Sequence, residues 1–297
     1  MKLTGWKVAL SVSDAPDRAR LGYPEREVER ALLAVCTAII REGGEILYAG
    51  DLRPEHFTFK IFRHLAGAYA GSRETAPFLY IIPEPIARRT RFGDLVAALK
   101  LARSVARVRL SSGGKLTSVR PSGDHLIVGA VGEIRQTICN EAEWDDWLDS
   151  QIGQSDAEAY TAVRQAIAAE ADARVAMGGK MGVVELPDDR FEGRMPGVIE
   201  EAVMTLEADK PLVLLGAYGG ATRDCAIALR LMDPAARVPR GAQQSGYDDA
   251  IAHIAELRDR IPAPVRPELQ DIANDDRSEP MAFAVCDLFV RWRAALS

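Results

Sequence analysis

Short apolar runs alternate with helically spaced apolar positions along most of the chain. Residues 6–12 read as a buried strand, followed by the polar turn Ser13-Asp14-Ala15-Pro16-Asp17. Val28, Ala31, Leu32, Val35, Ala38 and Ile39 then recur at helical spacing until Gly43-Gly44 stops the pattern. A second strand is predicted over residues 46–49, ahead of the turn Gly50-Asp51-Leu52-Arg53-Pro54. A helix over 55–70 and a strand over 77–82 follow. The order β-α-β-α-β predicts a parallel sheet covered on both faces.

The pattern loosens between residues 85 and 150. A helix is predicted over 94–106 and strands over 108–110 and 126–131, with Gly113-Gly114 and Pro121-Ser122-Gly123-Asp124 as turns. This reads as a hairpin insertion, and Trp144 and Trp147 fall in a short acidic helix over 143–148. The alternation then resumes. Ser155-Asp156-Ala157-Glu158 is a capping box that opens a helix to about residue 172. A strand is predicted over 173–177, and a helix starts near Pro196, where a missing N–H costs little. The strand over 211–215 runs through Gly216-Ala217-Tyr218-Gly219-Gly220 into another helix. Beyond Asp233 the helices are broken by prolines, and Phe283, Val285, Leu288, Phe289 and Trp292 give the last one an apolar face. The expected fold is α/β: a Rossmann-like, doubly wound, mainly parallel sheet with helices on both faces. The expected domain spans 1–232, with 85–150 as an insertion and 233–297 as a C-terminal helical extension.

Composition narrows the chemistry. The chain has 297 residues, 47% hydrophobic and 27% charged, as in an ordinary globular protein with a full core. Its net charge of −6 argues against nucleic acid as a partner. Cys36, Cys139, Cys225 and Cys286 form no CxxC pair, and three of them fall in apolar helical patterns as structural, reduced thiols. No apolar segment follows Lys2, and no run reaches the roughly 18 apolar residues of a membrane helix, so a cytoplasmic protein with no membrane partner is expected. His56, His64, His125 and His253 have no metal spacing, and neither a metal nor a cofactor is expected. Gly113-Gly114-Lys115-Leu116-Thr117 lacks the earlier glycine of a P-loop. No GxGxxG follows the first strand, and no GxSxG elbow occurs.

Ligands of open α/β sheets bind at the carboxyl ends of the strands, where helix N-termini present free N–H groups. Four turns are expected there: 11–17 with Ser13 and Asp14, 50–53 with Gly50 and Asp51, 178–197, and 216–224. The third carries Gly178-Gly179-Lys180 and then Gly193-Arg194-Met195-Pro196-Gly197; the fourth carries Tyr218, Gly219 and Gly220. Arg194, just before a helix, is placed to fork onto a phosphate or to form a structural ion pair. Tyr218 either stacks on a base or packs its turn. Glu200 and Glu201 follow in the same helix. Either they favour the helix dipole or one of them handles a ribose hydroxyl or a proton. Successive positions differ by about 100° around a helix, so only one readily faces a crevice. Glu200 is preferred, because Val198, Ala202 and Leu206 form an apolar row that Glu201 flanks less clearly.

A strand ending in Gly178-Gly179 and a helix opening with Gly197 and carrying Glu200-Glu201 resemble the PGGxGTxxE signature of the LOG, or lysine-decarboxylase-like, family. Gly216-Ala217-Tyr218-Gly219-Gly220, Ser11-Val12-Ser13-Asp14 and Tyr48-Ala49-Gly50-Asp51 are similar to the wider SLOG superfamily, which includes DprA-like proteins and nucleotide-sensing domains of bacterial conflict systems. The resemblance covers roughly residues 5–230. It departs where residues 180–192 separate the glycine pair from Arg194-Met195-Pro196-Gly197, and where the Gly-Thr step is absent. The resemblance implies a pocket for a nucleotide or an ADP-ribose- or NAD-derived ligand, and an oligomer. Without turnover the protein is a sensor or signal-responsive module in stress or defence, with any effector a separate chain. With turnover it is an N-glycosidase, phosphoribohydrolase or deoxyribosyltransferase-like enzyme, in which Glu200 or Glu201 is catalytic and Arg194 holds phosphate. A scaffold with a decayed pocket is the third reading.

Overall fold

The computed structural model describes residues 1–52, 56–69, 76–129, 135–151 and 153–296. The first half of the chain forms β1 (Lys7–Ser13), α1 (Glu25–Arg41), β2 (Glu45–Ala49), α2 (Phe57–Tyr69), β3 (Phe78–Pro83), α3 (Glu84–Arg89), α4 (Phe92–Ala102), β4 (Ala106–Ser112), β5 (Lys115–Ser122), β6 (His125–Val128), β7 (Gln136–Ile138) and α5 (Glu141–Asp149). The second half forms α6 (Asp156–Glu170), β8 (Ala173–Gly178), α7 (Gly197–Glu207), β9 (Leu212–Leu215), α8 (Gly220–Ala228), α9 (Tyr247–Glu256), α10 (Arg266–Asn274) and α11 (Ser278–Leu296). The fold is α/β and Rossmann-like, with mainly parallel strands, surrounding helices and a helical C-terminal part. Contacts divide the chain into two compact units: Met1–Glu45 with Ala168–Ser297, and Ile46–Ile167.

In the first unit β8 pairs in parallel with both β1 and β9. Ser13 lies opposite Gly178, and Met177 opposite Leu215, so the three strands end level. β8 is buried along its whole length, as a parallel strand covered on both faces must be. α7 and α8 pack on β8 and β9, α10 packs on β9, and α1 lies against α11. The α1 stripe of Val28, Ala31, Leu32, Val35 and Ile39 is buried as its spacing predicts. On α11, Val285, Leu288, Phe289 and Trp292 are buried, and Phe289 stacks with Trp6 at 6.2 Å between centroids. Phe283 departs from the expected apolar face and is 50% exposed. It sits about 180° around the helix from Trp292 at ~100° per residue. Residues 233–297 thus lie in the same unit as β1, β8 and β9.

In the second unit β3 pairs in parallel with β2 and β4, and β4 to β7 continue as antiparallel hairpins. The helix predicted over 94–106 is shorter: α4 closes at Ala102, the Val105 N–H donates to the Ala102 carbonyl, and Ala106 already begins β4. The strand expected over 108–110 is part of β4, which extends a parallel arrangement before the hairpins begin. The turn at Gly113-Gly114 falls where the sequence puts it; of the turn expected over 121–124 only Gly123-Asp124 turns, because Pro121 and Ser122 pair with β6 as the end of β5. The capping box forms reciprocally: Glu158 accepts the Ser155 N–H at 2.9 Å, and Ser155 Oγ accepts the Glu158 N–H at 3.4 Å. Arg53, Pro54, Glu55, Ala70 and the end of the strand expected over 126–131 lie outside the described residues.

Cys36, Cys225 and Cys286 are buried and Cys139 is exposed, all four as free thiols. Burial pushes the Cys36 thiol up to about 12. No described helix is long and apolar enough to cross a membrane.

Because Phe289 ties α11 to Trp6 at the head of β1, Phe289→Ala is expected to lower the stability of the first unit by roughly 3–5 kcal/mol. Urea unfolding followed by tryptophan fluorescence measures this. A loss under about 1 kcal/mol would show that α11 is only loosely attached.

Candidate functional site

Three of the four predicted turns meet in the first unit. The Gly179 N–H donates to the Ser13 carbonyl at 3.0 Å, and the Ala221 N–H donates to the Gly179 carbonyl at 3.1 Å. Gly220 has φ +69°, and a Cβ there would lie 2.6 Å from the Gly178 carbonyl oxygen and 2.7 Å from that of Gly179. Only a glycine lets the start of α8 lie on the turn that ends β8. On the other side of Gly179, 3.0 Å from where its Cβ would be, is Val198 in the first turn of α7. The ends of β1, β8 and β9 and the starts of α7 and α8 therefore share one rim. Gly50 and Asp51 belong to the second unit. There the Tyr80 hydroxyl donates to the Gly50 carbonyl at 2.7 Å, and Asp51 lies 3.4 Å from His56 Nδ1.

Residues 180–192, the departure from the family pattern, form a closed loop around a buried acid. Asp189 accepts the Met181 N–H at 3.0 Å and the Val183 N–H at 2.7 Å. A segment from beyond residue 232 clamps the loop. Gln244 exchanges two hydrogen bonds with the Phe191 backbone, its N–H donates to the Gly182 carbonyl at 2.6 Å, and the Val184 N–H donates to the Ala242 carbonyl at 2.9 Å. Lys180 Nζ donates to the Arg190 carbonyl at 2.8 Å. The chain emerges with Arg194 exposed, Met195 half-buried and Pro196 buried. Pro196 is the N-cap of α7 and has no side-chain acceptor to offer its first N–H groups.

The two glutamates have different surroundings. Glu201 reaches inward: Arg174 Nη1 donates to its carboxylate at 2.8 Å, and Ser11 Oγ also donates to it. Arg174, the second residue of β8, is 1% exposed, and its Nε donates to Thr205 Oγ1 at 2.8 Å. Glu200 is half-buried in the first turn of α7. Ser13 is half-buried and Asp14 exposed at the end of β1. Tyr218 is buried; its hydroxyl donates to the Asp276 carbonyl at 3.0 Å and its ring lies 5.3 Å from that of Tyr23. Burial raises the Tyr218 hydroxyl above its ordinary pKa. Among the described residues, no group of three or more histidine, cysteine or acidic side chains could hold a metal.

Sequence reasoning passed over Arg174, Asp189 and the role of Asp17. Arg174 left a signal: a charged residue inside the apolar run 173–177 is informative because an unpaired charge cannot be buried there. Asp189 left none, being one acid in a polar stretch.

Removing one partner of a buried ion pair typically costs about 3–5 kcal/mol. Arg174→Met should therefore destabilise the first unit by about that much, and the double variant with Glu201→Gln should recover part of it, as read by urea midpoints. A double variant no better than the single one would remove the ion pair as the cause. Burial also pushes the Asp189 carboxyl above the ordinary carboxylate range, against its two backbone donors and Lys180. The native state then holds that proton more tightly than the unfolded chain. The contribution is present below the ordinary pKa of about 4 and is lost as pH climbs through the raised one. Asp189→Asn should lack this decline. Parallel stability curves for the two proteins from pH 4 upward would contradict it.

A family model described as SLOG cluster2 matches residues 2–263, which takes in the rim, the 180–192 loop and the clamp at 242–244. Neither a curated protein nor a solved structure matches the chain. With nearly its whole length accounted for by that model, the chain belongs to the SLOG family, cluster 2, a family of nucleotide-related Rossmannoid modules.

Proposed function

We propose that the protein binds a nucleotide or an ADP-ribose- or NAD-derived ligand at the rim of the first unit and acts as a sensor rather than a hydrolase. Membership of the SLOG family and the meeting of the β1, β8 and β9 turns support a ligand there. Arg194, exposed ahead of α7, is the forked donor for a phosphate, with the first N–H groups of α7 beside it. The single observation that carries the sensor reading is the fixing of Glu201. This residue stands four places after Gly197, where the PGGxGTxxE pattern has its glutamate. Its carboxylate already accepts from the buried Arg174 and from Ser11. A carboxylate held in that way is committed to joining α7 to β8 and β1, and is poorly placed to steer water onto a sugar carbon. Glu200, half-buried in the first turn of α7, is the candidate for a ligand hydroxyl.

The test combines thermal shift with chromatography, using nucleoside monophosphates, NAD and ADP-ribose. Stabilisation by at least one of them without release of free base is expected. Arg194→Ala should weaken that ligand roughly tenfold or more, with the melting temperature of the ligand-free protein unchanged because Arg194 is exposed. No shift with any ligand overturns the reading. Free base accumulating in proportion to enzyme replaces it with an N-glycosidase. A dimer or larger assembly goes with the sensor role, and sedimentation giving only monomer across micromolar concentrations would remove that part.

A further inference from the structure

Asp17 is a buried acid at the same rim with half its hydrogen-bonding capacity unused. It follows β1 in the turn closed by the Leu21 N–H on the Asp17 carbonyl, and it is 5% exposed. Its Oδ1 accepts the Gly220 N–H at 2.7 Å, at the start of the nine-residue helix α8. Gly219, with φ +85°, makes this possible: a Cβ there would stand 2.5 Å from the same oxygen. Asp17 Oδ2 is buried without a hydrogen-bond partner, and so is Thr222 Oγ1, two residues into the helix and fully buried. Burial also raises the Asp17 carboxyl above the ordinary range.

The unmet chemistry is specific. The positive end of α8 already has its anion, so a phosphate there would meet a carboxylate. What the carboxylate lacks is a donor, and what the threonine lacks is any partner. A sugar hydroxyl, which can donate and accept, suits either. Leu21 packs at the same point: its Cδ1 lies 2.8 Å from the position of a Gly219 Cβ, and the residue is half-exposed.

We propose that Asp17 Oδ2 accepts a ribose hydroxyl of the ligand once the Leu21 side chain moves aside, with Thr222 at the start of α8 as a second polar group for the sugar. This rests on the nucleotide reading above and adds to it a sugar subsite at α8, apart from the phosphate end at α7.

Calorimetric titration of the full chain with AMP, 2′-deoxy-AMP and 3′-deoxy-AMP tests it; if only ADP-ribose binds, the comparison uses ADP-ribose and its 2′- and 3′-deoxy forms. One deoxy form is expected to bind roughly tenfold or more weakly, as befits a lost hydrogen bond to a charged acceptor. Asp17→Asn keeps an oxygen for Gly220 and should close that gap to about twofold by weakening only the ribose form. Thr222→Val should narrow it partly, and carries the comparison if the Asp17 variant fails to fold. Leu21→Ala should speed association. Equal affinities in the unmodified protein, or a gap that survives both variants, overturns the sugar subsite and leaves nucleotide binding intact. Absence of binding by every nucleotide overturns both.

Discussion

A guanidinium cannot sit in a fully buried strand without partners, and the first unit is arranged to supply them to Arg174. They come from two other elements: Ser11 on β1, and Glu201 and Thr205 one turn apart on α7. Thr205 in turn donates to the Glu201 carbonyl. Any slip of α7 along the strands would strand a charge in apolar surroundings, a far larger penalty than the loss of a few methyl contacts. The network therefore sets the rotation and height of α7. With these it sets where Gly197, Val198 and Arg194 stand relative to the turn at Gly178-Gly179. Polar chemistry below the rim governs the geometry of the rim itself.

That arrangement separates the roles of two adjacent glutamates. On a helix, neighbours in sequence point in directions about 100° apart, so one can be spent on architecture while the other stays near the surface. Here Glu201 points into the fold onto Arg174 and Ser11, while Glu200 is half-buried. The apolar row of Val198, Ala202 and Leu206 was the ground for preferring Glu200 at the crevice, and it carries no hint of where Glu201 goes. Its inward direction depends on Arg174, which lies 27 positions away on another element.

What was legible in the sequence was what short-range rules govern. The alternation of strands and helices, the Ser155–Glu158 box, the hairpin glycines and the buried stripe of α1 all follow from periodicity and turn chemistry within a few residues. The misjudged details were tertiary. α4 stops at Ala102 because β4 is recruited beside β3, and nothing local in Arg103 to Ala106 announces that partner. Phe283 is as apolar as Phe289 but lies on the wrong side of α11. Residues 180–192 read as a gap in a glycine motif. They are instead a loop built on Asp189 and held by glutamines that appear only after Asp233, beyond the reach of any local pattern.

The clamp on that loop has a consequence for how the protein is made. Phe191 and Gln244 are separated by 53 positions, so β8, the loop and α7 all leave the ribosome well before the residues that fasten them. Until 242–244 has emerged, the loop has only its internal bonds, those of Asp189 and of Lys180 to the Arg190 carbonyl among them, to hold its shape. During synthesis the nascent chain can build its strands first and complete the rim only after residues 242–244 have emerged, delaying any capture of ligand until then.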